Sequence, residues 1–196
     1  TTAGDYFGSS QGNSFAIYSD GAYTNITGVT FHNTQLWIYG THHVTFDKVS
    51  VIVDHQRIGS GVGITSIREG SSYITVKNSY FHTTDNEGSS TLVLALADYC
   101  TIENNTIEGD GFIGNLIYLT TYNVRNVPSV YNSHNKIINN RIRGPETISS
   151  TCFGICISGF DNLVENNTIN YAGSGIMFQW GSGITGTETA GNESLV

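Results

Sequence analysis

The sequence predicts an all-β chain wound into a solenoid, and three observations carry that prediction. A six-residue unit, apolar at its first and sixth positions, returns six times along the 196 residues. Its third position is held almost entirely by Gly and Asn, the residues that tolerate a left-handed backbone. No segment shows sustained helical periodicity with caps, and hairpin turn signals between paired strands are missing.

The units open at Ile26 (ITGVTF), Phe46 (FDKVSV), Val76 (VKNSYF), Ile102 (IENNTI), Ile137 (IINNRI) and Val164 (VENNTI), with a weak seventh at Ile184. Their spacings of 20, 30, 26, 35 and 27 residues each fit one solenoid turn plus loops. The third column reads Gly28, Lys48, Asn78, Asn104, Asn139 and Asn166, and the fourth Val29, Val49, Ser79, Asn105, Asn140 and Asn167. A β-branched Val is a poor left-handed residue, so the bend belongs to the third column. Side chains then point inward at positions one, four and six. Stacked turns bring Asn105, Asn140 and Asn167 into one inward column, where each amide finds the partners that a buried amide requires.

A second apolar strand follows each unit: 36–40, 61–67, 92–96, 115–119, 154–159 and 175–178. Each turn thus contributes short strands separated by bends, giving about six to seven coils in a single domain over residues 1–196. Neither end carries a capping helix, as an isolated solenoid requires. The expectation is a module of a longer protein, or a subunit whose ends stack on neighbours.

Composition narrows the function classes. Sixteen acidic and eight basic side chains give a net charge of −8, without the Lys and Arg clusters that nucleic acid or an anionic membrane surface attracts. No apolar run approaches the roughly 20 residues of a membrane span. Cys100, Cys152 and Cys156 are an odd number without zinc spacing, which reads as small buried hydrophobes with at most one disulfide.

The column pattern resembles the right-handed parallel β-helix repeat of the pectate-lyase-like superfamily, whose coils read n-x-I-x-N-N-x-I…G-I-x-I. The likeness covers roughly residues 14–190. It implies the fold and is compatible with polysaccharide lyases, hydrolases and epimerases, phage tailspikes and adhesin-like surface proteins. The Ser/Thr/Asn/Ile-rich texture is most similar to adhesin-like proteins of methanogenic archaea, which implies an extracellular, cell-surface module.

In such a fold the coils are scaffold and the loops carry function. Residues at one phase of successive coils lie about 4.8 Å apart. The segment after the sixth column gathers Asp54, His55 and Arg57, then His82, Asp85 and Glu87, then Glu108 and Asp110, then Arg143 and Glu146. A uronate lyase would use Arg57 to neutralise the carboxylate and His55 or His82 as base, whereas a hydrolase would pair Asp85 with Asp110. The enzyme signatures are not intact: HTTDNEG lacks the elements that follow it in polygalacturonases, and DHQR lacks the Pro and Glu of the epimerase Asp-Pro-His-Glu. The leading expectation is therefore a non-catalytic module that binds a glycan or a partner surface. A polysaccharide-active enzyme and a self-assembling stalk, sheath or spike segment are the alternatives.

Trp37 and Tyr39 alternate with Leu36 and Ile38, which places one pair outside; with Glu87, Glu108, Tyr122 and Tyr131 they are the expected ligand contacts. No cofactor signature is present. Asp85, Glu87, Glu108 and Asp110 offer oxygens that suit Ca²⁺, without EF-hand or nonapeptide spacing. His42 and His43 are adjacent, so strand alternation sends them to opposite faces and joint metal ligation is not expected. Of the sequons at Asn25, Asn104, Asn166 and Asn192, the first and last are the more accessible.

Overall fold

In a computed structural model, residues 13–54, 63–84, 90–110, 114–120, 132–146 and 152–178 are described. They form a parallel β-helix. Sheet A consists of β1 (Asn13–Ile17), β4 (Thr34–Ile38), β7 (Gly63–Ile67), β10 (Ser90–Ala95), β13 (Asn115–Thr120), β16 (Phe153–Ile157) and β19 (Ser174–Phe178). Sheet B consists of β2 (Asn25–Thr27), β5 (Thr45–Asp47), β8 (Thr75–Lys77), β11 (Thr101–Glu103), β14 (Lys136–Ile138) and β17 (Leu163–Glu165). Sheet C consists of β3 (Thr30–His32), β6 (Ser50–Val53), β9 (Tyr80–Thr83), β12 (Thr106–Gly109), β15 (Arg141–Arg143) and β18 (Thr168–Asn170). Every strand pair is parallel and joins one coil to the next, so the rest of the coil is the crossover that parallel pairing needs. The one helical element among the described residues is a 3-10 turn, Ser19–Gly21.

The repeat fixes the register. Val76, Ile102, Ile137 and Val164 are direct partners in sheet B, and Phe81, Ile107, Ile142 and Ile169 are direct partners in sheet C. With Leu36, Ile38, Ile64, Leu92, Leu94, Ile117 and Ile155 from sheet A they form one continuous core column.

Two positions that repeat from coil to coil take the left-handed conformation. The bend between sheets B and C uses Gly28, Lys48, Asn78, Asn104, Asn139 and Asn166, with φ between 51° and 68°. The bend before sheet B lies five residues earlier, at Tyr23, His43, Tyr73, Tyr99, His134 and Asp161, with φ between 54° and 58°. Inside the first of these bends runs the amide ladder. Asn105 Nδ2 donates to Asn140 Oδ1 at 3.1 Å, and Asn140 Nδ2 to Asn167 Oδ1 at 2.9 Å. The same side chains close the backbone groups that each bend leaves over: Asn105 N donates to Asn140 Oδ1 and Asn140 Nδ2 donates to the Ile102 carbonyl, both at 2.9 Å. A second ladder inside the other bend joins Asn135 Nδ2 to Asn162 Oδ1 at 3.1 Å.

One expectation is corrected here. Trp37 is 4% exposed and not an outward ring, because β4 is buried on both faces; the Arg68 guanidinium lies over its ring at 5.4 Å, and Trp37 Nε1 donates to Gln35 Oε1 at 3.1 Å. Tyr39 is half-buried. The three cysteines are buried and form no disulfide.

Candidate functional site

Alternation along β9, β12 and β15 decides which side chains leave the core. Phe81, Ile107 and Ile142 point in and are fully buried, which turns Tyr80, His82, Glu108 and Arg143 outward. Register then aligns His82, Glu108 and Arg143 in one row across three coils. Asp110 follows β12 and is anchored by its N–H to the Thr83 carbonyl at 2.9 Å.

These side chains engage one another. Tyr80 Oη donates to Glu108 Oε2 at 2.9 Å. His82 Nε2 lies 3.0 Å from Asp110 Oδ2, and Arg143 Nη1 lies 3.9 Å from Asp110 Oδ1. Arg143 Nη2 donates to Glu146 Oε1 at 2.7 Å, and its guanidinium lies 5.6 Å over the Tyr171 ring. Gly144 makes that approach possible, since a Cβ there would meet the Tyr171 carbonyl. Burial pushes the Tyr80 phenol up to about 12, with the hydrogen bond and charge of Glu108 and the charge of Asp110 adding to it against Arg143. Tyr80 is thus a protonated donor at neutral pH.

The same edge repeats two coils earlier. His32 Nε2 lies 3.6 Å from Asp54 Oδ2, and Thr84 Oγ1 donates to the Asp54 carbonyl at 3.1 Å. Beside Tyr80 the bend opens into a groove of about 350 Å³ lined by Lys48, Ser50, Asn78, Tyr80, Asn104 and Thr106. On its rim Asn104 Nδ2 donates to Asn78 Oδ1 at 2.6 Å and Asn78 Nδ2 to Asp47 Oδ1 at 2.8 Å.

Of the sequence-predicted residues, His82, Glu108 and Asp110 come together, and Asp54 lies on the same edge. His55, Arg57, Asp85, Glu87, Tyr122 and Tyr131 lie outside the described residues. The cation that reaches Asp110 is Arg143. Tyr80 stood in the sequence as one ring among many; its position two residues before His82 on an alternating strand was the signal that both share a face. Among the described residues, no three His, Cys, Asp or Glu side chains group as metal ligands.

Three repeating sheets, inward amides and a polar outer edge define a solenoid scaffold that carries its chemistry on one flank. The chain belongs to the family described as right handed beta helix region, which matches residues 13–192. Among curated proteins, none matches this sequence. Two solved structures from Azotobacter vinelandii are similar. The A-module of mannuronan C-5 epimerase AlgE6 has a TM-score of 0.56 at 14% identity, covering 94% of this chain and 54% of its own. The A-module of mannuronan C-5 epimerase AlgE4 has a TM-score of 0.46 at 16% identity, covering 87% of this chain and 54% of its own. The chain spans about half the length of these structures.

Proposed function

We propose that this chain is a non-catalytic, adhesin-like module of the cell surface that binds a neutral glycan along the outer face of sheet C. The observation that carries the reading is the row Tyr80, His82, Glu108, Asp110 and Arg143, which presents donors and acceptors across three coils beside an open groove. Sugar hydroxyls are both donors and acceptors, so a row of alternating carboxylates and donors suits them. The local charge favours a neutral chain over a uronate one. Arg143 already faces Glu108, Asp110 and Glu146, and so has little left for a substrate carboxylate. Tyr80, held protonated, donates and does not act as a base.

The second reading, a polysaccharide-active enzyme, is favoured by one contact. A histidine 3.0 Å from a carboxylate is the arrangement of an oriented general base or acid. The AlgE6 A-module acts on mannuronan; its likeness to this chain is one of fold.

A glycan array followed by calorimetry of the best ligands tests the proposal. Binding should occur, and Glu108→Gln and Arg143→Ala should each weaken it by about tenfold or more. The same incubations are assayed for new reducing ends and for unsaturated sugar. Product from the wild type that His82→Ala does not release would replace the binding reading with the enzymatic one.

A further inference from the structure

His42 and His43 sit at the bend before β5. Strand alternation would send their side chains to opposite faces. It does not, because His43 takes φ 54° and breaks the alternation. Both imidazoles stand outside the core, and their Nδ1 atoms are 2.9 Å apart.

The geometry points to a two-histidine site for a divalent late transition metal of tetragonal preference, Ni²⁺ or Cu²⁺, with the two Nδ1 atoms as adjacent ligands. Metal–imidazole bonds of about 2.0–2.1 Å to donors this far apart enclose an angle of about 90°. Tetrahedral ligation would hold the same donors about 3.4 Å apart. Right-angled nitrogen donors match the square-planar and tetragonal arrangements of Ni²⁺ and Cu²⁺, rather than a structural Zn²⁺. Without metal, the same 2.9 Å is a hydrogen bond from one Nδ1–H to the other nitrogen's lone pair. Metal binding needs both Nδ1 lone pairs, so the proton of that hydrogen bond moves to Nε2 of its ring, the other tautomer of a neutral imidazole.

The site is also pre-organised. The His43 ring is clamped between Tyr23 at 4.9 Å and Tyr73 at 4.9 Å, with interplanar angles of 19° and 22°. The same Tyr23 ring stands edge-on to His42 at 5.2 Å. Tyr23 N donates to the His42 carbonyl and His43 N to the Ser72 carbonyl, both at 3.2 Å. Rotamer freedom that a flexible histidine pair would lose on binding is therefore already restricted. Among the described residues no third His, Cys or carboxylate completes a metal-binding group with the pair. The pair lies at a different bend from the Tyr80–Arg143 row, so its fate is independent of the glycan reading.

The test uses the full chain without a polyhistidine tag, titrated with NiCl₂ and CuCl₂ by calorimetry, with the electron paramagnetic resonance spectrum of the copper form. One equivalent should bind per chain, and the spectrum should show two equatorial imidazole nitrogens. His42→Gln and His43→Asn, the latter chosen because Asn tolerates a positive φ, should each weaken binding at least about tenfold. His134→Asn should bind as the wild type does, since His134 occupies the same column without an adjacent imidazole. Circular dichroism melts verify that each variant folds. Wild-type affinity in either His42→Gln or His43→Asn, or a spectrum with a single equatorial nitrogen, overturns the assignment.

Discussion

The two asparagines of the IINNRI unit do different physical work, and substitution should separate them. Asn140 belongs to the inward column. Its loss would leave the Asn105 N–H without that acceptor, take one of the two acceptors of the Asn105 amide, which keeps the Val76 carbonyl, and remove a donor from the Ile102 carbonyl. At about 1–3 kcal/mol for a buried unpaired group, Asn140→Ala should destabilise by about 2–4 kcal/mol, read as a lower urea midpoint. Its neighbour Asn139 has φ 57° and an exposed side chain, so Asn139→Gly should cost only a few tenths of a kcal/mol and Asn139→Val about 1–3 kcal/mol. Bends of this kind were legible because Gly and Asn announce them. The bend before sheet B was not, because Tyr, His and Asp fill it. A positive φ costs these residues about 1–2 kcal/mol. Stacked rings offset part of that: Tyr73 and Tyr99 lie 5.1 Å apart at 14°, and Tyr99 and His134 lie 4.6 Å apart at 13°. The compensation comes from neighbours a whole coil away, which local sequence does not display. The cysteines give another residue-scale test. Burial pushes Cys100 and Cys156 up to about 12 and Cys152 up to about 11. Alkylation requires thiolate, so the folded chain should resist iodoacetamide at pH 8 and incorporate three equivalents after denaturation, as counted by mass spectrometry.

Strand phase made the polar edge of sheet C readable. His82, Glu108 and Arg143 each stand one residue after the sixth column, with Asp110 two residues beyond Glu108, and equal offsets become neighbours once coils stack. Which cation would pair with Asp110 was not readable, because coil lengths differ and the register of the outer strands is set only in three dimensions. Alternation also misled in sheet A. It predicts one wet face, which holds for β9 and β12 but not for β4, where both faces are buried and Trp37 is covered. The β9–β12 pair carries a pH prediction. Tyr80 ionises near 12 in the folded chain and near its ordinary value of 10 when unfolded. A raised pKa means that the unfolded chain loses its proton first. The stabilisation from Tyr80 is therefore complete below pH 10 and disappears as pH rises from 10 to 12. Glu108→Gln removes the hydrogen-bonding carboxylate and its charge, so the Tyr80 titration should move down toward 10. Carbon-13 tyrosine spectra across this pH range would follow it, and an unmoved midpoint would mean that burial alone sets the value.

At the scale of the whole molecule, a solenoid has no contacts that span its length, and its stability is close to a sum over coils and their interfaces. Position along the axis should then matter more than residue type. Ile102 and Ile169 are both core isoleucines of the repeat. Ile102 is fully buried in β11, with Val76 on one side and Ile137 on the other. Ile169 lies in β18, which ends sheet C, pairs only with Ile142 among the described strands and is half-buried. Truncating Ile102 opens a cavity closed on both sides by neighbouring coils, so Ile102→Ala should cost about 3–5 kcal/mol. Truncating Ile169 removes one side of contact, so Ile169→Ala should cost less than half as much by the same cavity argument. Native-state hydrogen exchange gives the sharper readout. In a nearest-neighbour array the central variant should lower protection in coils on both sides of β11. The end variant should lower it only near β17, β18 and β19. Equal costs for the two, with protection falling uniformly, would mean that the chain unfolds as one cooperative block whose coil interfaces are far stronger than the coils themselves.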